Sequence, residues 1–335
     1  MRIRLKDIAK QADVSVGAVS QVLNNKPIRI SEDKKKLIQQ LAKENNYSPN
    51  IAAKSLVSNK TNTIGLVIPD INNPFFASLA KTVEDQLRKA GYLLILVNSD
   101  DRFESEQELV RLLLNRGVDG LILALSNESY TFEQQQREML KGIDIPLVLV
   151  DRGVDNFEGS QVFYNNRLGG YLATRHLIDQ GHRRIGAMMN PSKNINCVYR
   201  HQGYLDALAE AGIDFQDAWS VPTKFQFEDA YDKADQLLNN QEITGIVAGN
   251  DLIALGIIKR AREQGKRVPE DISLVGYDNL PLNELLETAL TSVEQDVDVL
   301  GEKAVECLFS AFEKQEMRFV QLKPKLVQKG SVKQL

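Results

Sequence analysis

One face of a predicted short helix near the N-terminus carries small or amide side chains at the spacing i, i+3, i+4, i+7: Gly17, Ser20, Gln21 and Asn24. Residues at this spacing lie on one side of an α-helix. Asparagine and glutamine amides can each form two hydrogen bonds with N7 and N6 of adenine in the DNA major groove. The pattern predicts direct contact with base edges, and the solvated face of an ordinary helical hairpin is the alternative interpretation.

A second set of polar side chains follows the ends of four apolar, strand-like runs: Asp70 to Phe76, Asp151-Arg152, Asn250-Asp251 and Tyr277-Asp278. In open α/β sheets, ligands bind beyond the carboxyl ends of the strands. Carboxylates, amides and a guanidinium can bond sugar hydroxyls, and Phe75, Phe76 and Phe225 offer flat apolar surfaces to a sugar ring. Helix caps and turns would explain any one of these residues, but not the whole set at strand ends.

The base-reading face needs two helices to position it. The first has an apolar stripe of Leu5, Ile8, Ala9 and Ala12, and the second has one of Val19, Val22 and Leu23. Between them, Ser15 can cap the second helix by accepting a hydrogen bond from its first turn. Two short helices so close together predict a helix-turn-helix, whose second helix lies in the major groove.

A third helix is predicted from an N-cap at Ser31 to about Asn45. Its apolar residues Leu37, Ile38 and Leu41, with Tyr47 beyond, are expected to close a three-helix core. The head would then occupy residues 1–48.

From Thr63 onward, near-continuous runs of Val, Ile and Leu alternate with amphipathic segments. This alternation is typical of parallel strands joined by crossover helices. A first cycle ends with PLVLVD, and a second begins at Asn165. The strand-like SVEQD and a helix from Val297 to Phe312 come last. We therefore predict two doubly wound α/β lobes after the head.

The charge is divided unevenly along the chain. Residues 1–60 contain 12 Lys and Arg against 5 Asp and Glu, whereas the remainder contains 29 against 40. A basic head and an acidic body are expected when only the head meets DNA phosphates. No apolar run approaches the roughly 20 residues of a membrane span, and the polar N-terminus lacks the apolar core of a secretory signal. Together with only two cysteines, these features predict a cytoplasmic protein.

Enzyme and metal functions lack their usual sequence marks. The chain contains no GxxxxGK[ST], GxGxxG, G-x-S-x-G or HExxH motif. Cys197 and His201 could touch a metal, but no second ligand pair accompanies them. We predict no catalytic residue and no cofactor. A secreted sugar-binding protein would account for two lobes, but not for the helix-turn-helix.

The runs LKDIAKQADVSVGAVSQVLN and NYSPNIAAKSL resemble the N-terminal signature of the lactose/galactose repressor (LacI/GalR) family of bacterial transcription regulators. The resemblance implies that residues 49–61 form a hinge helix or linker that inserts Leu56 into the minor groove of the operator. It also implies DNA contacts from further residues: Val16, Asn50, Ala53 and Lys54. Gln21 stands where the family often has Arg, so the preferred bases can differ. A plain linker is the alternative for the hinge.

The resemblance covers the whole chain and implies the fold class: an α/β protein with a helix-turn-helix head, a hinge helix and a two-lobed core like that of periplasmic binding proteins. The core would occupy residues 62–335. Its N-lobe would contain about residues 62–163 and 296–323, and its C-lobe about 164–295 and 324–335.

The ribose-binding branch of these proteins reads its sugar through a set of residues that this chain also contains: Asn73, Phe75, Phe76, Asp151, Arg152, Arg200, Phe225, Asn250, Asp278 and Gln295. The sequence thus predicts a homodimeric repressor of a sugar-utilisation operon. It would bind a pseudo-palindromic operator with a central CG and leave it when ribose, or a related pentose or ketohexose, binds between the lobes. A corepressor-dependent regulator that responds to a sugar phosphate, a purine or a phosphorylated carrier protein is the alternative.

Overall fold

The structure is a computed structural model that describes residues 3–23, 27–45, 47, 60–313 and 317–335. The chain forms two compact units, Met1–Thr61 and Asn62–Leu335. Five residues of the predicted DNA-binding set lie outside the described residues: Asn24, Asn50, Ala53, Lys54 and Leu56. The hinge helix therefore stays a prediction.

The first unit contains the helices α1 (Leu5–Ala12), α2 (Val16–Leu23) and α3 (Glu32–Glu44). Asp13 turns the chain between α1 and α2 with a φ of 49°. Ser15 Oγ accepts a hydrogen bond from the Ala18 N–H at 3.1 Å, and Ser31 Oγ accepts one from the Lys34 N–H at 3.3 Å. Both predicted N-caps are present, and each satisfies a first-turn donor of its helix.

The apolar faces of these helices meet in one small core. Ile8, Val19 and Ile38 are fully buried in it, and Ala42 lies beside them. Partly buried side chains surround this core: Leu5, Leu23, Leu41 and Tyr47. The prediction that Leu37 closes the core is wrong, because Leu37 is 37% exposed. Ile38 and Ala42 share the inner face of α3 because they are four residues apart.

The strands of the second unit, in chain order, are β1 (Thr63–Ile68), β2 (Leu93–Asn98), β3 (Gly120–Leu123), β4 (Leu147–Val150), β5 (Ser160–Tyr164), β6 (Ile185–Met189), β7 (Ser220–Pro222), β8 (Gly245–Ala248), β9 (Ser273–Asp278), β10 (Thr291–Glu294), β11 (Phe319–Leu322) and β12 (Lys325–Val327). Its α-helices are α4 (Pro74–Lys89), α5 (Phe103–Asn115), α6 (Glu133–Lys141), α7 (Asn166–Asp179), α8 (Ile195–Glu210), α9 (Phe227–Lys233), α10 (Asp235–Leu238), α11 (Asp251–Glu263) and α12 (Val297–Phe312). Short 3₁₀ turns occur at Glu128–Tyr130, Asp217–Trp219 and Pro281–Leu285.

These strands form two six-stranded sheets, in the orders β11-β5-β4-β3-β1-β2 and β12-β10-β9-β8-β6-β7. Neighbouring strands are parallel in both sheets, except that β10 and β12 are antiparallel. The central strands β3 and β8 are buried along their whole length, as expected where helices cover both faces of a sheet. The predicted fold class is confirmed.

The sequence reading missed four strands: β5, β7, β11 and β12. The apolar run YLLILVN forms β2, which lies at the edge of its sheet, where Leu93 is 66% exposed. The segment from Phe227 to Leu238 forms two short helices, α9 and α10. Within the described ranges, no helix is long and apolar enough to cross a membrane.

Candidate functional site

The carboxyl ends of strands from both lobes meet around one small inner cavity. Its lining is mostly polar and comprises Asn73, Phe75, Asp151, Arg152, Asn196, Arg200, Phe225, Asn250, Asp278 and Gln295. Nine of the ten residues chosen from the sequence line this cavity. The tenth, Phe76, lines the wider cleft that adjoins this cavity, with its ring centroid 5.3 Å from Cζ of Arg152.

Asp151 and Arg152 follow β4, and both are about 5% exposed. Arg152 Nη1 donates to Asp101 Oδ1 at 2.8 Å and to the Leu125 carbonyl at 2.7 Å. Burial raises the pKa of the Asp151 carboxyl, and the charges of Arg152 and Arg200 oppose that rise. These two hydrogen bonds, both from Nη1, hold the Arg152 guanidinium in one orientation.

Arg200 lies on α8 and enters the cavity from the second lobe. Its Cζ is 3.5 Å from the ring centroid of Tyr277, so the guanidinium lies over an aromatic face. Nε and Nη2 both donate to Asn166 Oδ1, at 3.1 and 2.7 Å, and Nη1 donates to the Gly249 carbonyl. These contacts use three N–H donors of Arg200 and fix the plane of its guanidinium.

Asp278 and Gln295 form the innermost polar pair. Burial raises the pKa of the Asp278 carboxyl to about 8, because a low-dielectric site disfavours the charged form. Gln295 Nε2 donates to Asp278 Oδ1 at 2.9 Å. Gln295 Oε1 is buried and has no hydrogen-bond partner in the described part of the chain. An acceptor of this kind suits a ligand hydroxyl.

Two cavity residues also cap helices. Asn73 Oδ1 accepts from the Phe75 N–H at 3.1 Å, and Asn250 Oδ1 accepts from the Ile253 N–H at 2.9 Å. The helix-cap interpretation is therefore correct for these two, and it coexists with their place in the cavity wall. Each cap fixes the side chain that lines the site.

The sequence reading missed Asn196, which lines the same cavity and is 5% exposed. It comes from the first turn of α8 in the second lobe, and its Nδ2 donates to the Asp151 carbonyl at 3.0 Å in the first lobe. The run Asn194-Ile-Asn196 after a strand was the available signal, since Asn residues there resemble those at the other strand ends.

On α2, the predicted base-reading face is open to solvent. Val16 is 46% exposed, Gly17 and Gln21 are exposed, and Ser20 is half-buried. Val19 and Val22, on the opposite side, are buried in the head core. The helix thus has one exposed face and one buried face, as its amphipathic pattern predicts.

The Cys197 and His201 pair does not resemble a metal site. Cys197 is buried, and burial raises the pKa of its thiol to about 11, which disfavours the thiolate that binds metals. No group of three or more potential metal-ligating residues occurs among the described residues.

Comparison with known families identifies the chain. Residues 4–50 match the model of bacterial regulatory proteins of the lacI family, and residues 61–329 match that of periplasmic binding proteins and the sugar-binding domain of the LacI family. The chain belongs to the LacI family. The family's regulators bind DNA through the helix-turn-helix, so this member is a DNA-binding transcriptional repressor with an effector-binding core, and not an enzyme.

Proteins similar to this LacI-family chain include a repressor named PurR and a regulator with bound ribose. It is 35% identical, over 99% of both chains, to the HTH-type transcriptional repressor PurR of Vibrio atlanticus (strain LGP32). It is 32% identical to a LacI family transcriptional regulator from Enterococcus faecium with bound ribose, with a TM-score of 0.73 over 82% of this chain and 99% of that one. The lac repressor dimer bound to operator and the anti-inducer ONPF shares the fold at 23% identity, with a TM-score of 0.89 over 99% and 100% of the chains.

Proposed function

We propose that this repressor controls a sugar-utilisation operon and is released from its operator by a small neutral sugar, namely D-ribose or a related pentose or ketohexose. The observation that carries the proposal is the composition of the inner cavity. Its lining combines amides, two carboxyls and two guanidiniums with the rings of Phe75 and Phe225. A sugar offers hydroxyls to the polar groups and ring faces to the aromatic groups.

The cavity favours a neutral ligand over a phosphorylated one. A phosphate dianion needs positive charge that is not already paired, but Arg152 forms ion pairs with Asp101 at 2.8 Å and Asp151 at 3.8 Å. Three nitrogens of Arg200 already donate to Asn166 and Gly249. The carboxyls of Asp151 and Asp278 also line the cavity and would repel the anion when they are ionised. The regulator with bound ribose supports the same ligand class.

We further propose that the repressor acts as a homodimer on a pseudo-palindromic operator. The edge strand β2 presents Leu93, 66% exposed, and Leu96, 39% exposed, and Leu112 on α5 is 44% exposed. Exposed apolar side chains on a sheet edge are typical of surfaces that a partner covers. A two-fold dimer would place one α2 helix in each operator half-site, with paired Leu56 side chains at a central CG step.

A panel of ligands tests the effector class. We expect D-ribose, or another free pentose or ketohexose, to raise the Tm of the full-length protein, because a ligand that binds only the folded state stabilises it. Ribose 5-phosphate, fructose 1,6-bisphosphate and the purines hypoxanthine and guanine complete the panel, since the PurR repressor is also similar to this chain. Stabilisation by a purine or a sugar phosphate alone would overturn the proposed effector.

A further inference from the structure

A chain of hydrogen bonds joins the second lobe to a cavity residue by a route outside the inner cavity. Asn194 Nδ2, in the second lobe, donates to Asn127 Oδ1, in the first lobe, at 3.0 Å. Asn127 contacts Asp101 at two points, from Nδ2 to Oδ2 at 2.5 Å and from its backbone N–H to Oδ1 at 2.8 Å. Asp101 Oδ1 accepts from Arg152 Nη1 at 2.8 Å.

In this series of hydrogen bonds, the other contacts of each side chain determine which of its atoms donates and which accepts. Asn194 is fully buried, and its Oδ1 caps α8 by accepting from the Asn196 N–H at 2.9 Å. Because the oxygen faces the helix, the NH2 group faces Asn127. Asn127 then offers its oxygen to Asn194 and its own NH2 group to the Asp101 carboxylate. The two amides form a one-way relay from donor to acceptor.

The first-lobe end of the relay is held firmly. Asp101 lies in the left-handed region with a φ of 57°, and its N–H donates to the Pro69 carbonyl at 2.7 Å. The loop that carries Asn127 is bound by the buried carboxyl of Glu106, which accepts from the Ser126 N–H and, at 2.5 Å, from Ser129 Oγ. Asn127 is therefore presented to the second lobe from a fixed loop.

We infer that Asp101, Asn127 and Asn194 are positioning residues that couple closure of the lobes to the orientation of Arg152. This inference rests on the proposed function, because Arg152 is taken to contact the effector. None of the three residues lines the inner cavity, but Asp101 and Asn127 line the wider cleft that adjoins it. The Asn194 to Asn127 bond crosses between the lobes, so it stabilises the closed arrangement. An effector that binds the closed cleft then binds more tightly in proportion to the closed population.

The variant Asn194→Ser isolates the bond between the lobes. Serine keeps a side-chain oxygen for the helix cap but has no NH2 group to reach Asn127. We expect its Kd for D-ribose to rise about threefold to tenfold, which corresponds to one net hydrogen bond, while the Tm without ligand stays near that of the wild type. Asn240→Ser is the matched control, since Asn240 is in the same lobe and its Oδ1 accepts a local bond from the Glu242 N–H at 3.0 Å, and we expect its Kd to be unchanged.

A double variant tests whether the residues act as one relay. Asn127→Ala removes the bond to Asn194 and the side-chain bond to Asp101 but keeps the backbone N–H bond to Asp101, so adding Asn194→Ser should weaken ribose binding no further. Losses that add in the double variant would overturn the relay. A wild-type Kd for Asn194→Ser would overturn it as well.

A distance measurement separates this inference from the effector assignment. Glu104 and Glu228 are exposed and lie on opposite lobes, so spin labels on cysteines introduced there report closure when labelled chains are diluted with unlabelled protein. Without any ligand, we expect Asn194→Ser to shift the distances to larger values than the wild type and Asn240→Ser to leave them unchanged. If the wild type binds no sugar, the proposed effector fails, yet this shift still tests the relay. An unchanged distribution would contradict it.

Discussion

At the scale of single residues, Arg200 shows how far the cleft is organised by the protein itself. Its guanidinium lies over the Tyr277 ring and donates to Asn166 and Gly249. Stacking and three donor contacts define the plane of the fork, so little side-chain freedom is left to lose on binding. The remaining edge of the fork can then meet vicinal hydroxyls in a fixed orientation.

Replacing Arg200 with lysine should weaken ribose binding at least tenfold, or by about 1.4 kcal/mol. Lysine keeps the positive charge, but an ammonium cannot stack on Tyr277 or donate in the same fork geometry. Isothermal titration calorimetry measures the change, with Arg183→Lys, an exposed Arg in the same lobe, as the control. An Arg200→Lys protein with wild-type affinity would show that the guanidinium does not contact the effector.

Asp278 makes the stability of the core depend on pH. Its pKa in the folded chain is about 8 because of burial, whereas an unfolded Asp has a pKa of about 3.9. Between these values the folded state binds the proton and the unfolded state does not, so the free energy of unfolding falls as pH rises. Asp251 and Glu106, with pKa values raised by burial to about 6 and about 7, act in the same direction.

We therefore expect the Tm of the ligand-free protein to fall as the pH is raised from about 6.5 to about 8.5. Below this range, His176, His182 and His201 act in the opposite direction, because burial lowers their pKa values. Asp278→Asn should flatten this dependence, because the amide stays neutral throughout. Asp214→Asn, at an exposed position, is the control and should follow the wild type. Differential scanning calorimetry across this pH range measures the Tm of each variant. Equal slopes of Tm against pH for Asp278→Asn and the wild type would contradict the raised pKa of Asp278.

Asp151, Asn250 and Asp278 could be predicted because they lie at or just after the ends of strands, where the topology of a parallel sheet fixes their position. Arg200 and Gln295 were predicted only through the resemblance to the ribose-binding branch. Asn127, Asn194 and Asn196 could not be predicted in the same way. Their partners lie on the opposite lobe, and a single sequence does not encode the distance between two lobes.

At the scale of elements, the N-caps of two helices in the first unit were predicted correctly from residue types alone. The caps at Ser15 and Ser31 are present, because capping depends only on neighbours in sequence. The edge strands β7 and β12, with three residues each, were missed. Such short segments have no period of their own, and their extended form comes from pairing with a neighbouring strand.

The α2 helix gives a prediction about base readout. Gln21→Ala should relax the preference at one operator position by about 1–3 kcal/mol, since a lost amide no longer distinguishes the bases. Selection from random-sequence DNA followed by binding to single-base variants measures this. Gln39→Ala, exposed on α3, serves as the control. An unchanged base preference would move readout to Gly17, Ser20 or Asn24.

At the scale of the whole molecule, the core is a pair of lobes joined by three chain crossings. The chain passes between the sheets after β5, after β10 and after β11. The Tyr164 hydroxyl donates to the Asp296 carbonyl at 3.0 Å and ties two of these crossings together. Three short connections favour rotation of one lobe against the other about this side of the cleft.

Leu56 gives a prediction about how the hinge reads DNA. If paired Leu56 side chains open a central base step, Leu56→Ala should weaken binding to the operator far more than binding to random DNA, because the wedge acts only on the kinked specific complex. Electrophoretic retardation on both DNAs, at one salt concentration, measures the ratio. Equal losses on operator and random DNA would contradict the hinge assignment.

The central claim is that a neutral sugar in the inner cavity releases the repressor from its operator. Fluorescence anisotropy of labelled operator DNA, followed while D-ribose is added to the complex, tests it most directly. The expected result is release by ribose, with Arg200→Lys requiring at least about tenfold more, and no release by ribose 5-phosphate. The claim is contradicted if every free sugar leaves the complex intact while a purine, a sugar phosphate or a phosphorylated carrier protein tightens it.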